Sequence, residues 1–272
     1  MLGAIIGDIA GSAYEFHNTN DYNCNLFPEG SDYTDDSVMT LAVASWLLHD
    51  QEHTHKKLEE EMVRFGHDFP CPKGGYGGGF RRWLFETVDR HPYNSWGNGS
   101  AMRVSAVGWF FDTLEETERV AEISASITHN HPEGVKGAQA AAAAIFLART
   151  GHEKDEIRDY IERRFGYDLH KTYTDWYGHY GWDESCQGTV PQALICFLDS
   201  EDFEDAIRKA VSLGGDSDTL ACITGGIAEA YYGFIPGSMA GEAMERLPEA
   251  FREILTEVEK VSAYERRIVF ID

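Results

Sequence analysis

The chain has 272 residues, 43% of them apolar, a length at the upper end of what one hydrophobic core fills. It carries 46 acidic against 23 basic side chains, giving a formal net charge of −23. Such a charge repels nucleic-acid backbones and anionic membranes at long range, so free nucleic acid and membranes are poor partners. We therefore expect a soluble protein that forms a single domain over residues 1–272.

The N-terminal segment and the cysteines indicate a cytoplasmic protein. Asp8 interrupts a short apolar start that lacks a basic region, so this segment does not match a signal peptide. The longest apolar stretch, Ala140 to Ala148, is far too short to span a bilayer. The five cysteines are odd in number and show no CxxC spacing, as expected for reduced thiols.

Glycines at every fourth position mark the first predicted element, a helix. Gly3, Gly7 and Gly11 would line one helix face, which in a soluble chain favours the close approach of a second helix. A comparable face of small residues recurs late in the chain, at Ala221, Gly225 and Gly233. We therefore expect the two ends of the chain to pack together.

Helical periodicity dominates the rest of the chain. Apolar and small side chains recur at helical spacing from Val38 to Trp46. Pro132 opens the segment 132–149, whose alanine-rich middle predicts a buried central helix. Further helices are predicted at 117–128, 153–164, 188–198, 203–212, 217–232 and 249–262. Because strand alternation is indicated only at Arg267 to Ile271, the predicted fold class is all-α.

Two segments break the helical pattern. Residues 66–99 are rich in glycine and proline, and residues 165–184 are dense in aromatic side chains. Long loops in a compact domain are usually functional or disordered, and aromatic content argues against disorder. We expect the choice of substrate to be made in these segments, although the aromatic side chains could instead only pack a loop.

Two acidic clusters stand at predicted helix starts, within Tyr33–Ser37 and within Gly214–Thr219. Threonine and aspartate are good N-caps, and one aspartate per helix would need no further explanation. Two aspartates and a threonine, at each of two helix starts, exceed what capping requires. Carboxylate and hydroxyl oxygens suit Mg²⁺, Mn²⁺ or Ca²⁺, and neither cluster contains the histidine or cysteine that zinc favours. We predict that the clusters meet in space and hold two divalent ions roughly 3.5–4 Å apart.

Several motifs, found in order along most of the chain, resemble those of the ADP-ribosylglycohydrolase family. They are Gly3–Phe16, Thr34-Asp35-Asp36, Ser95–Arg103, Thr128-His129 with the alanine-rich helix after it, and Leu213–Thr219. The resemblance implies a single compact orthogonal helical domain of that family, with a two-metal cleft. It also implies hydrolysis of the glycosidic bond between ADP-ribose and an acceptor, with release of ADP-ribose. The acceptor stays open between N-linked arginine, O-linked serine, acetate, a nucleic-acid end and a small molecule.

The resemblance also implies roles for individual residues. The two cations, Mg²⁺ or Mn²⁺, would be held by Thr34, Asp35, Asp36, Asp216, Asp218 and Thr219. The catalytic residues would be Glu15, Asp35 and Asp36, with Glu15 also gating access of the substrate. Substrate binding is expected from Ser95, Trp96, Gly97, Asn98, Gly99 and His129, where backbone N–H groups would cradle the diphosphate. The substrate would be an ADP-ribosylated protein or a small ADP-ribosyl conjugate.

Plainer interpretations exist for most of these residues. Glu15 could be a surface acid, Asn98-Gly99 a simple turn, and His129 and His131 a cap and a surface residue. Arginines that could pair with acids rather than touch phosphate are Arg81, Arg82 and Arg103. The chain could also be a two-metal hydrolase of another ribosyl or phosphoryl substrate. A non-catalytic protein like the crystallins of the family is the remaining alternative, and the intact acidic motifs argue against it.

Overall fold

The computed structural model describes residues 1–261 and, for the strand at 269–271, the backbone. Almost all regular structure in this part is helical, which confirms the all-α prediction. The helices are α1 Leu2–Gly11, α2 Asp35–His49, α3 His55–Asp68, α4 Gly78–Phe85, α5 Gly99–Met102, α6 Val107–Phe110, α7 Leu114–Ser126, α8 Pro132–Arg149, α9 Lys154–Phe165, α10 Tyr173–Trp176, α11 Cys186–Leu198, α12 Phe203–Leu213, α13 Ser217–Tyr232, α14 Gly237–Arg246 and α15 Glu249–Glu259. Two short strands, β1 Phe234–Pro236 and β2 Val269–Ile271, pair in parallel.

The predicted helices lie where expected, with boundaries that differ by a few residues. The prediction at 249–262 is too long, because α15 ends at Glu259; residue 262 lies outside the described residues, as does Arg267 at the start of the predicted strand. Helix α3 was not predicted, although Thr54 caps it and apolar residues repeat at helical spacing from Leu58 to Phe65. Helix α4 begins inside the glycine-rich segment that had been assigned to a loop.

Helices α1 and α13 form the centre of the fold through direct backbone contact. A Cβ atom at Gly3, Gly7 or Gly11 would overlap a backbone carbonyl of α13. The carbonyls are those of Gly225, Ala221 and Ser217. The predicted packing of the two chain ends is therefore confirmed, with one correction. Gly233 is the left-handed C-cap of α13 (φ 62°), and Ser217 takes the third place on the small face.

Helix α8 is buried in the middle of the molecule, as its composition predicts. Every residue from Ala140 to Arg149 is buried, and only Gln139 in the alanine-rich run is half-buried. The small side chains let α5, α6, α7, α11 and α13 all pack against this helix. His131 caps its start, because the imidazole Nδ1 accepts from the backbone N–H of Glu133 at 3.1 Å. Within residues 1–261, no helix is both long enough and apolar enough to cross a membrane.

Candidate active site

The N-termini of α2 and α13 open into one cleft of about 340 Å³, a volume typical of small-molecule sites. Asp35 and Asp36 begin α2, Asp216 is the N-cap of α13, and Asp218 and Thr219 lie in its first turn. The hydroxyl of Thr219 donates to Oδ1 of Asp36 at 3.3 Å, which links the two helix starts. The prediction that the two acidic clusters meet in space is confirmed.

Asp8, which was not among the predicted site residues, connects α1 to the start of α2. Its buried carboxylate accepts from the backbone N–H groups of Thr34 (3.0 Å) and Ser37 (3.1 Å) and from both hydroxyls. Burial raises the pKa of Asp8 to about 6, although these hydrogen bonds act in the opposite direction. The signal in the sequence was a carboxylate in the middle of an otherwise apolar helix.

Of the six predicted metal ligands, Thr34 alone does not line the cleft. Its hydroxyl donates to Asp8 at 2.7 Å and accepts from the backbone N–H of Asp36 at 3.2 Å. Thr34 therefore acts as the N-cap of α2, as the plainer interpretation of the motif expected, and one lone pair of its oxygen remains.

Three carboxylate oxygens in the cleft are buried without a hydrogen-bond partner among residues 1–261: Glu15 Oε2, Asp36 Oδ2 and Asp218 Oδ1. Oxygens of Glu15, Asp216 and Asp218 lie within 4.8 Å of one another. Burial, and then repulsion between neighbouring carboxylates, raises the pKa of Asp35, Asp36 and Asp218 well above the ordinary range. Because hard divalent cations satisfy both the unpartnered oxygens and the charge, the residues present fit such an ion.

Glu15 lies in this cleft rather than on the outer surface, contrary to its plainer interpretation. Burial, together with the charges of Asp216 and Asp8, raises the pKa of Glu15 to about 7. Asn18 fixes the segment that carries it, because the amide nitrogen lies 3.0 Å from the carbonyl oxygen of Glu15 and 2.8 Å from that of Gly215. The amide oxygen of Asn18 accepts from the N–H of Gly215 at 2.9 Å. Asn18 thus joins Glu15 to the loop before α13, and no sequence signal pointed to it.

The predicted substrate loop forms the opposite wall, where Ser95, Gly97, Asn98 and Gly99 line the cleft. The side-chain amide of Asn98 donates to Oδ2 of Asp216 at 2.7 Å and to Oγ1 of Thr189 at 3.1 Å. Asn98 is therefore more than a turn residue, because it holds one of the cleft carboxylates in place.

His129 is buried in the same wall and also lines the cleft. Its Nδ1 lies 2.7 Å from the hydroxyl of Thr128, and a Cβ atom on Gly99 would lie 3.2 Å from its Nε2. Burial, and then the charge of Arg103, holds the pKa of His129 well below its usual range. His129 is thus a buried neutral imidazole beside the glycine loop.

Arg81 and Arg103 have different kinds of partner. Arg81 pairs with Glu86 at 3.0 Å on the surface, as the plainer interpretation expected. Arg103 is fully buried and donates instead to the carbonyl oxygen of Ser124 and to the hydroxyl of Thr128, each at 2.9 Å. The expectation that Arg103 pairs with an acid is therefore wrong.

Exposed aromatic side chains form the rim. Phe16 and Trp182 stack with ring centroids 5.8 Å apart, and both line the cleft. Trp96 lies outside this cleft and lines a neighbouring groove, where its ring makes an edge-to-face contact with His131. The aromatic side chains of the segment 165–184 therefore have two roles. Trp182 lines the cleft, whereas three others pack against the core: Tyr173, Trp176 and Tyr180.

Comparison with known proteins agrees with this geometry. The profile of the family described as ADP-ribosylglycohydrolase matches residues 1–268. The chain is 27% identical to the "ADP-ribosylhydrolase ARH3" of Homo sapiens, over 93% of this chain and 87% of that protein. It is 26% identical to the "ADP-ribosylarginine hydrolase Tri1" of Pseudomonas putida, over 86% of this chain and 69% of the relative. A solved chain described as "ADP-ribosylglycohydrolase-related protein complex" shares the fold, with a TM-score of 0.67, 24% identity and coverage of 98% of this chain and 97% of that one.

Proposed function

Because the chain belongs to the ADP-ribosylglycohydrolase family, we propose that it hydrolyses the glycosidic bond between ADP-ribose and an acceptor, releasing ADP-ribose. The names of the relatives from human and Pseudomonas support hydrolysis of ADP-ribosyl bonds in general, with N-linked arginine or O-linked serine among the acceptors we propose. The observation that carries the proposal is the set of buried, unpartnered carboxylate oxygens that face one cleft.

The proposed cofactors are two divalent cations, Mg²⁺ or Mn²⁺. Their ligands would be drawn from Thr34, Asp35, Asp36, Asp216, Asp218 and Thr219. Bound ions would supply Lewis-acid chemistry beside the ribose hydroxyls and offset the negative charge that otherwise repels a diphosphate. All six side chains offer oxygen, which favours these ions over zinc.

The proposed catalytic residues are Glu15, Asp35 and Asp36. A half-buried carboxylate that lines the cleft is suited to accept a proton from water, and Glu15 occupies such a position. Glycosidic cleavage passes through a cationic, oxocarbenium-like transition state, which carboxylates in the cleft floor would stabilise. Asn18 and Asn98 keep Glu15 and Asp216 in place for this reaction.

The remaining proposed contacts belong to the substrate. The backbone of the loop from Ser95 to Gly99 and the side chain of His129 would bind the diphosphate, and Trp96 in the adjoining groove would pack against the nucleoside. The substrate is proposed to be an ADP-ribosylated protein or a small ADP-ribosyl conjugate. All five cysteines are unpaired, which supports a reducing, cytoplasmic setting for a single domain over residues 1–272.

A panel of defined ADP-ribosyl conjugates tests the proposal, with free ADP-ribose as the readout. The panel contains arginine-linked and serine-linked peptides and O-acetyl-ADP-ribose, each with Mg²⁺, Mn²⁺, Zn²⁺ or EDTA. We expect release from at least one conjugate with Mg²⁺ or Mn²⁺ and none with EDTA or Zn²⁺. Equal release in EDTA would refute the metal site, and no release from any conjugate would refute the activity.

Thermal shift provides a test that does not depend on the acceptor. Metal should convert a cleft that repels a diphosphate into one that tolerates it, so Mg²⁺ and ADP-ribose should each raise the affinity of the other. We expect ADP-ribose to stabilise the protein with Mg²⁺ and not with EDTA. Equal stabilisation in both conditions would show that the metal is not part of the ligand site.

A further inference from the structure

A buried arginine that lines the cleft has no acidic partner among residues 1–261. Arg103 is 1% exposed, and burial lowers its pKa to about 10. Its Nη2 donates to the carbonyl oxygen of Ser124 in the last turn of α7. The unsatisfied carbonyls of a helix C-terminus carry a partial negative charge, so the end of α7 offsets the guanidinium charge.

The same nitrogen of Arg103 fixes the hydrogen of a neighbouring hydroxyl. A guanidinium has only donors, so Oγ1 of Thr128, 2.9 Å away, must accept from it. The hydroxyl hydrogen of Thr128 then has one acceptor among the described residues, Nδ1 of His129 at 2.7 Å. If Nδ1 carried the hydrogen, the buried hydroxyl would have no acceptor, which is costly. The network therefore places the imidazole hydrogen on Nε2.

The other ring nitrogen lies beside the loop that forms the cleft wall. Cβ atoms built on Gly97 and Gly99 would lie 3.6 Å and 3.2 Å from Nε2 of His129, so glycine at both positions keeps that nitrogen uncovered. His129 itself lines the cleft. Because a positive guanidinium lies behind it, protonation of the imidazole is opposed, and the pKa of His129 is lowered by burial and by Arg103.

We infer that Arg103 and Thr128 are positioning residues that lock His129 as a neutral imidazole whose Nε2–H donates to an anionic group bound in the cleft. This inference rests on the proposed function for the identity of the anion, which would be the diphosphate of ADP-ribose. The arrangement provides a donor whose direction and charge stay constant across neutral pH. Thr128 does not line the cleft, and Arg103, which does, acts on His129 through the hydroxyl of Thr128.

We call the hydrogen-bond chain from Arg103 through Thr128 to His129 the relay. Nitrogen NMR of the full-length protein, with 15N-labelled histidine, tests it without any substrate. Long-range proton–nitrogen correlation spectra distinguish the two neutral tautomers and the imidazolium, and His129→Gln assigns the signal among the 11 histidines. We expect Nε2–H, with the pKa of His129 below the usual value near 6.5. A hydrogen on Nδ1, or a pKa at or above the usual value, would overturn the inference.

Substitution of the hydroxyl supplies the second measurement. Thr128→Val should mix the tautomers and weaken ADP-ribose binding by roughly two- to tenfold, the value of one ordinary hydrogen bond, and Thr128→Ser should restore both. The matched control is Thr117→Val, because Thr117 is equally buried but donates to the carbonyl of Thr113, the N-cap of α7. Equal changes in the His129 signal for the two valine variants would overturn the relay.

The two readouts separate this inference from the proposed function. If the wild-type spectrum shows the Nε2–H tautomer and Thr128→Val alters it, the relay is supported whatever the ligand. If the magnesium-loaded wild type then binds no ADP-ribose in calorimetry, the assigned anion and the proposed function both fail.

Discussion

The two glycine-rich segments of this chain have opposite roles. In α1, the glycines are buried and repeat every four residues, and the backbone of α13 fills the space where side chains would be. In the segment 74–79, most glycines are exposed, and nothing lies within 4 Å of a Cβ atom built at Gly75, Gly77 or Gly78. Glycine spacing on an apolar helix therefore indicates packing, whereas consecutive glycines beside a cleft leave backbone accessible.

The two segments nevertheless meet at the same site. Helix α1 carries Asp8 and leads to Glu15, so its contact with α13 brings the carboxylates of the cleft floor together. In the exposed segment, Gly74 lies against the carboxylate of Glu15. The cleft thus has a floor of carboxylates that is fixed by the packing of α1 on α13. Its rim consists of the exposed glycines of the segment 74–79 and the aromatic rings of Phe16 and Trp182.

The largest effect is expected from an added methyl group at the packed glycine. In Gly7→Ala, the Cβ atom would overlap the carbonyl of Ala221, so α1 and α13 must separate. Overpacking of this kind costs about 3 kcal/mol or more, which corresponds to a fall in Tm of roughly 6–12 °C. Gly77→Ala, at an open position with negative φ, is the stability control and should change Tm little. Similar Tm values for the two variants would show that the glycines of α1 are no more important for packing than those of the segment 74–79.

A second substitution should separate stability from activity within the floor. Asp36→Asn removes a charge from a buried carboxylate that lacks a partner for one oxygen, so stability should be unchanged or higher. Activity should fall by at least about 100-fold, the usual scale for a group that acts on the reacting atoms. Thermal melting and the ADP-ribose release assay measure the two effects, with exposed Asp112→Asn as the control. Full activity with a large loss of Tm would mark Asp36 as structural.

The raised pKa values of two carboxylates, Glu15 and Asp8, predict an unusual pH dependence of stability for the metal-free protein. The folded-state pKa values of Glu15 (about 7) and Asp8 (about 6) lie above their ordinary values near 4. The folded state then binds these protons more tightly than the unfolded state, so the stabilising contribution of these two groups is fully present below about pH 4 and is lost as pH rises through each folded pKa. With EDTA, Tm should therefore fall between about pH 5 and 8.

Magnesium provides the control for that pH series. Ions that replace the protons should raise Tm at pH 8 and flatten the curve, because the carboxylates no longer need protonation to coexist. The contacts of Gly3, Gly7 and Gly11 with the backbone of α13 contain no titratable group and should add nothing to this dependence. An equally steep curve with saturating Mg²⁺ would place the responsible carboxylates outside the cleft.

The smallest effect is expected at the rim. Gly74 has a φ of 76°, and a Cβ atom there would lie 2.8 Å from Oε2 of Glu15. Gly74→Ala should cost roughly 1–2 kcal/mol for the left-handed backbone and lower kcat several-fold by displacing Glu15. Gly166→Ala has a similar φ of 71° with open space around it, so it should show the stability loss alone. Equal kcat values in the two variants would show that Gly74 has no effect on the position of Glu15.

Part of the site was predictable because it depends on local sequence patterns. The aspartates of both clusters stand at helix starts, where Thr34 caps α2 and Asp216 occupies the N-cap position of α13, and helix starts are decided within a few residues. Pro132 likewise fixed the start of α8, and the four-residue glycine spacing indicated the helix contact. Helix α3 could have been found by the same rules, since its cap and apolar spacing were present.

What the sequence alone determined, then, is the all-α class, the central buried helix, the contact of the chain ends and the identity of the acidic clusters. The tertiary structure decided which other side chains support them: Asp8, Asn18, the amide of Asn98, and the chain from Arg103 to His129. It also placed Trp96 in a neighbouring groove rather than in the cleft. The physical reason is distance along the chain. Helix periodicity and capping act over one or two turns, whereas the partners of a buried polar group come from segments tens to hundreds of residues apart and depend on how the helices pack.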